Sequence, residues 1–305
     1  VLGSDGEMIP ISFLTWGPVI CIFGSPKEYV ITSRTVTNMK KIAILLLMVQ
    51  HFGQSYSQTP DKTAYADLGD IRLYYEIYGK GEPLLLLHGW TQTSDFWKEY
   101  ISSFSDRYRV IAIDLRGHGR SGILTDSFSI QKAAEDIKSL MEMLGLKGAN
   151  AVGLSYGGLV LLELAHKHPQ LLSSMILIGA SANYNGKENQ DPDNPFDFEQ
   201  LPEDFVAQLQ SVHPYGISQV KALFNKDLSY EINLSETDLG QIANRTLIIG
   251  GDRDDVVGVD AAVQLYKHLP DARLWILPNT GHLAISEPNK ESFLATALEF
   301  LRSRD

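Results

Sequence analysis

Residues 149–168 read ANAVGLSYGGLVLLELAHKH. The first six form a short apolar run, the mark of a strand covered on both faces. Residues 159–168 predict a helix that stops before Pro169. Between them, Gly153-Leu154-Ser155-Tyr156-Gly157 fits the pattern G-x-S-x-G. A sharp strand-to-helix turn brings backbone against backbone, so only small flanking residues fit. The helix start adds partial positive charge and N–H groups beside the Ser155 hydroxyl. The pattern alone is short enough to arise by chance, and its bland reading is a glycine-rich turn with an inert serine.

Outward from that turn the chain alternates strand and helix. Residues 83–87, 110–113, 175–178, 247–249 and 274–277 are further short apolar runs. Residues 71–78, rich in aromatic and β-branched side chains, read as an antiparallel edge strand paired with 64–68 across Gly69-Asp70. Apolar residues recur at helical spacing over 130–144, ending at Gly145. Residues 259–269 and 291–302 predict two more helices. The expectation is an α/β fold: a mostly parallel, eight-stranded sheet with helices on both faces.

Residues 182–244 break the rhythm. They open on a stretch dense in Asn, Asp and Pro, and short helices are expected near 203–212 and 218–224. Some sixty residues exceed a plain connection. They read as a small helical lid over the carboxyl ends of the strands, inserted between core segments 62–181 and 245–305. Phe196, Phe198, Phe205, Tyr215 and Phe224 are its candidates for shaping a pocket.

Lys40-Lys41, an apolar run over 42–49 and the small-residue stretch Ser55-Tyr56-Ser57 have the order of a secretory signal. Residues 39–57 are therefore expected to be a signal peptide cut after Ser57, and 1–38 to lie upstream of the true start. The apolar run is too short for a stable membrane span. Export to a periplasmic or extracellular setting follows, and Cys21, the one cysteine, would be lost. A formal net charge of −11 with no basic cluster argues against nucleic acid as a partner.

A serine hydroxyl needs a base, and the base an orienting acid. His282 lies in a loop past the last predicted strand, near the same sheet end as Ser155. His88 and His118 lie in loops at that end too and compete with it. After the run 247–249 come Asp252, Asp254 and Asp255, among which spacing makes no choice. Two N–H groups must meet the oxyanion that acyl transfer generates. The backbone N–H groups of Trp90 and Tyr156 are the natural pair.

Five motifs together resemble the α/β-hydrolase family, in its lidded serine-nucleophile form. His88-Gly89-Trp90 is similar to the family's oxyanion motif, Asp114 to Ser121 to its D-x-R-G-x-G-x-S loop, and Gly153 to Gly158 to its nucleophile elbow. Gly251-Asp252-Arg253-Asp254 resembles its G-x-x-D motif, and that resemblance selects Asp254 as the acid. Gly281-His282 with Glu287-Pro288 matches its closing motif. Asp255-Val256-Val257-Gly258 departs from the proline-bearing form usual after the acid.

The resemblance implies a triad of Ser155, Asp254 and His282 that hydrolyses a small carboxylic ester, thioester or lactone through an acyl-enzyme. It implies no cofactor and no metal; the partner is a small acyl substrate, and no oligomeric state is assigned. Relatives of this kind also include carbon–carbon bond hydrolases, proline-type aminopeptidases and cofactor-free haloperoxidases. A ligand-binding protein with an idle triad is the alternative of another class.

Overall fold

The computed structural model describes residues 58–125, 128–185, 198–225 and 230–303. The expected leader and signal peptide, and Phe196, lie outside them. In chain order the elements begin with β1 (Lys62–Asp67), β2 (Arg72–Tyr78), β3 (Glu82–Leu87), α1 (Lys98–Ser105), β4 (Tyr108–Ile113) and α2 (Ile130–Met143). Then come β5 (Ala149–Leu154), α3 (Tyr156–Lys167), β6 (Leu172–Ile178), β7 (Asn183–Asn185), α4 (Glu203–Val212) and α5 (Ile217–Leu223). The remainder is β8 (Glu231–Asn233), α6 (Glu236–Gln241), β9 (Arg245–Gly251), α7 (Val259–His268), β10 (Ala272–Leu277) and α8 (Lys290–Arg302).

Eight strands form one sheet in the order β1-β2-β4-β3-β5-β6-β9-β10. The pairs β1–β2 and β2–β4 are antiparallel, and every other neighbour pair is parallel. The central strands are apolar throughout because both faces are covered. Leu85, Leu87, Ala149 and Ala151 pack on the side of α2 and α3. Leu84, Leu86, Val152 and Leu154 pack on the other side with α1 and α8. Burying such side chains contributes roughly 25 cal/mol per Å² of apolar surface.

One strand differs from expectation. β2 is not an edge; it lies between β1 and β4, and β1 holds the edge. Glu76 makes residues 71–78 look half-exposed, yet its carboxylate is buried. It accepts hydrogen bonds of 2.6 Å from both the Tyr74 and Tyr78 hydroxyls, so the charge is satisfied inside the sheet.

Between β6 and β9, the short strands β7 and β8 pair antiparallel. α4 and α5 share a small core of Leu201, Phe205, Leu209 and Val220. This segment rests on the loops that follow β3 and β4. The Gln219 Nε2 donates to the carbonyls of Gly117, Gly119 and Gly122. The Trp90 indole N–H donates to Leu223 O at 3.1 Å. Phe205 belongs to the segment's own core, Phe198 packs on Phe224, and Tyr215 is exposed.

Candidate active site

Ser155 joins β5 to α3 with φ 48° and ψ −113°, a conformation that costs a non-glycine residue about 1–3 kcal/mol. Packing around the turn enforces it. A Cβ on Gly153 would lie 2.5 Å from Gly157 O, and one on Gly157 would lie 2.4 Å from Leu87 O. The Ser155 N–H donates to Ile178 O at 2.7 Å, tying the turn to β6. The hydroxyl therefore stands beyond the carboxyl end of β5, at the start of a helix.

His282 reaches it from the loop after β10. Its Nε2 lies 2.8 Å from Ser155 Oγ, and its Nδ1 lies 2.9 Å from Asp254 Oδ2. His282 and Asp254 are both buried. The other Asp254 oxygen accepts from the backbone N–H groups of Val256 and Val257 at 2.9 and 3.1 Å. Proline at either position would remove one of these donors, so the departure from the proline-bearing form has a visible use. Burial works against the Asp254 charge. The His282 hydrogen bond and charge, with the two valine N–H groups, outweigh it and hold the carboxyl below its usual range.

Of the three aspartates left open by spacing, only Asp254 bonds the imidazole. Asp252 is exposed and accepts from Thr280 N at 3.2 Å. Gly251 lets the two loops close: a Cβ there would lie 2.0 Å from Thr280 O.

His88 and His118 do other work. The His88 Nδ1 lies 2.7 Å from Gly89 O and its Nε2 accepts from Leu115 N at 2.9 Å. Those partners fix the tautomer with the proton on Nδ1. Full burial drops its pKa to about 4, so the ring stays neutral. The bonded carbonyl belongs to the Gly89–Trp90 peptide, whose N–H is the expected oxyanion donor. In a trans peptide, pinning the carbonyl aims the N–H the opposite way. Gln92 N donates to that same carbonyl at 3.2 Å, and the Gln92 side chain accepts from Gly89 N at 3.0 Å. A Cβ on Gly89 would come within 3.6 Å of Ser155 Cβ, so this turn passes close over Ser155. Tyr156 opens α3, and the N–H groups of a helix's first turn have no intrahelical acceptor.

Two residues that sequence reasoning passed over reach this turn. The Tyr230 ring packs against Trp90 at a 47° tilt with centroids 4.4 Å apart, and Tyr184 meets Tyr230 edge-on at 5.4 Å. Tyr184 sits in β7 and Tyr230 directly precedes β8, elements too short to carry a period. Among the described residues no group of three or more His, Cys, Asp or Glu side chains is placed to hold a metal. Nor is any helix there long and apolar enough to cross a membrane.

A nucleophile elbow on this sheet, with an acid and a histidine arriving from later loops, defines the α/β-hydrolase fold. Residues 82–215 match the family model described as alpha/beta hydrolase fold. The chain has that fold, and the proteins it is similar to are enzymes that share it. It is 27% identical over 266 residues to a non-heme chloroperoxidase of Kitasatospora aureofaciens, covering 76% of this chain and 96% of that enzyme. It is 28% identical over 276 residues to a 2-hydroxy-6-oxo-6-phenylhexa-2,4-dienoate hydrolase of Comamonas testosteroni, covering 80% and 96%. Among solved structures it is similar to an esterase of Rhodococcus sp. ECU1013, with a TM-score of 0.65 at 23% identity, over 81% of this chain and all of that one.

Proposed function

We propose that the protein is a serine hydrolase of small carboxylic esters, thioesters or lactones. The observation that carries this reading is the continuous chain from Ser155 Oγ to His282 Nε2 and from His282 Nδ1 to Asp254, at 2.8 and 2.9 Å. In the proposed cycle His282 takes the Ser155 proton as Oγ attacks the carbonyl carbon. Asp254 holds the imidazole with its proton on Nδ1 and stabilises the imidazolium. The Trp90 and Tyr156 N–H groups receive the oxyanion. His282 then gives its proton to the leaving oxygen or sulfur, and a water, deprotonated by His282, releases the acyl group.

The test is labelling with a fluorophosphonate followed by peptide mass spectrometry. One adduct, on Ser155, is expected, and none on the Ser155→Ala protein. Folded wild-type protein that takes no label would overturn the reading.

The chloroperoxidase similarity over most of the chain favours a second reading on the same triad. Hydrogen peroxide in place of water would release the acyl group as a peracid. Peracid formed from a short carboxylic acid and peroxide, lost in Ser155→Ala, would support it. We also propose that the protein is exported, on the pattern of residues 39–57. An N-terminal peptide beginning near Gln58 in the purified native protein is the expected result.

A further inference from the structure

His118 and His213 are both fully buried, and neither belongs to the catalytic chain. His118 comes from the loop after β4, and His213 caps the end of α4. Each ring has its Nδ1 against a backbone carbonyl: His118 on Arg116 O at 3.0 Å, His213 on Leu209 O at 2.8 Å. A carbonyl only accepts, so both protons sit on Nδ1 and both Nε2 atoms carry a bare lone pair. Neither Nε2 has a hydrogen-bond partner among the described residues. Buried acceptors left without a donor are rare in native structures.

Of the neighbouring donors, all but the Tyr156 hydroxyl are already committed. The Gln219 amide serves three carbonyls, and the Trp90 indole N–H serves Leu223 O. Arg120 is spent on Asp114, Asp95, Glu76 and the Ser94 hydroxyl. The Tyr156 ring stacks on His118 at 29°, and its buried hydroxyl makes no hydrogen bond to either Nε2 among the described residues.

The ring centroids of His118 and His213 are 6.0 Å apart. A water oxygen accepting no proton from either ring would sit about 2.8 Å from each Nε2, roughly 3.9 Å from each centroid. With its two hydrogens spread at the ordinary water angle, the centroids would stand about 6.2 Å apart. A direct bond between the rings would need a proton on one Nε2. That would strip a carbonyl of its donor or bury a cation.

We propose that His118 and His213 together bind one internal water, which donates both hydrogens to their Nε2 atoms and joins the inserted helices to the loop beneath. Ordered waters commonly satisfy paired orphan groups in this way. The charged and titratable groups facing the pair leave the water as the donor. Asp114 is engaged by Arg120, Arg116 by Asp136 and Asp70, and His88 is neutral. Burial holds both imidazoles of the pair below their usual range as well.

A crystal structure of the wild-type protein should show one water peak within hydrogen-bond reach of both Nε2 atoms. An empty gap, or a peak with an anomalous metal signal, would overturn the site. In ¹⁵N spectra of histidine-labelled protein at pH 7, both Nε2 atoms should be unprotonated; a proton on either also sinks the proposal. Hydrogen exchange across residues 203–223 should quicken about tenfold in His118→Phe and in His213→Phe. The double variant should exchange no faster than the singles, because each alone removes the shared water. Additive effects would mean that the rings act separately. The spectra and the peak are read on unaltered protein, so they stand even if a variant fails to fold.

Discussion

Ser155 holds a backbone conformation that alanine would tolerate no better than serine, whereas glycine would. Two variants therefore separate chemistry from strain. Ser155→Ala and Ser155→Gly should both lose turnover of an activated ester such as p-nitrophenyl acetate. Ser155→Gly should be the more stable of the two by about 1 kcal/mol, measured by urea unfolding, because it relieves the φ of 48°. Equal stabilities would mean that the turn is not strained. For the acid, Asp254→Asn should lower kcat by about 10⁴, since the amide favours the wrong imidazole tautomer. Asp252→Asn should cost far less, because the Asp252 carboxylate accepts from the Thr280 backbone N–H at 3.2 Å rather than from the imidazole. A reversal of that order would move the acid's role.

At the scale of elements, the elbow depends on α3 and β3 meeting backbone to backbone. Gly157→Ala would drive a Cβ to 2.4 Å from Leu87 O and 2.8 Å from Leu87 Cβ. Overpacking of this kind costs typically 1–3 kcal/mol. A drop in the urea midpoint together with slower labelling of Ser155 is expected, because the shift also moves the nucleophile. The same packing explains what could be read in advance. The buried parallel strands announce themselves because two covered faces demand an unbroken apolar run. β7 and β8 are three residues each, too short for any period. α6 did carry a signal, the Ser235 and Asp238 capping box, which predicts a helix start where none was assigned. Ser155 and His282 were legible from motif and position. Asp254 needed the family resemblance, because three acidic neighbours look alike until the fold turns one inward. The place of β2 was hidden by Glu76, whose tyrosine partners are near in sequence but whose burial is set by β4. The clamp of His88 and Gln92 on one peptide leaves no mark in composition or spacing.

Across the whole molecule, proton linkage follows from what is buried. His88, His118 and His213 are held neutral, chiefly by burial. Their folded values lie below the unfolded one, so the unfolded chain binds more protons as pH falls through about 6.5. Stability must then decline on acidification. For His88, with a folded value of about 4, the loss by pH 4 is about 3 kcal/mol. Asp254 and Asp114 act in the same direction but later, since lowered carboxylates lose their contribution only as pH falls below the unfolded carboxylate value. Glu163 runs the other way. It is buried on α3, and burial raises its carboxyl, so the folded state holds a proton that the unfolded state gives up. Its contribution is lost as pH rises through that window. Glu163→Gln should therefore stabilise the protein at pH 7 and lose that advantage near pH 4, where the carboxyl is protonated in both states. Urea unfolding of both proteins at pH 8, 6.5, 5.5 and 4.5 checks the two claims together. Wild-type stability should fall from 6.5 to 4.5, and the variant should fall more steeply because the opposing group is gone. Parallel curves would mean that the Glu163 carboxyl meets solvent, and a flat wild-type curve would mean that the three imidazoles do.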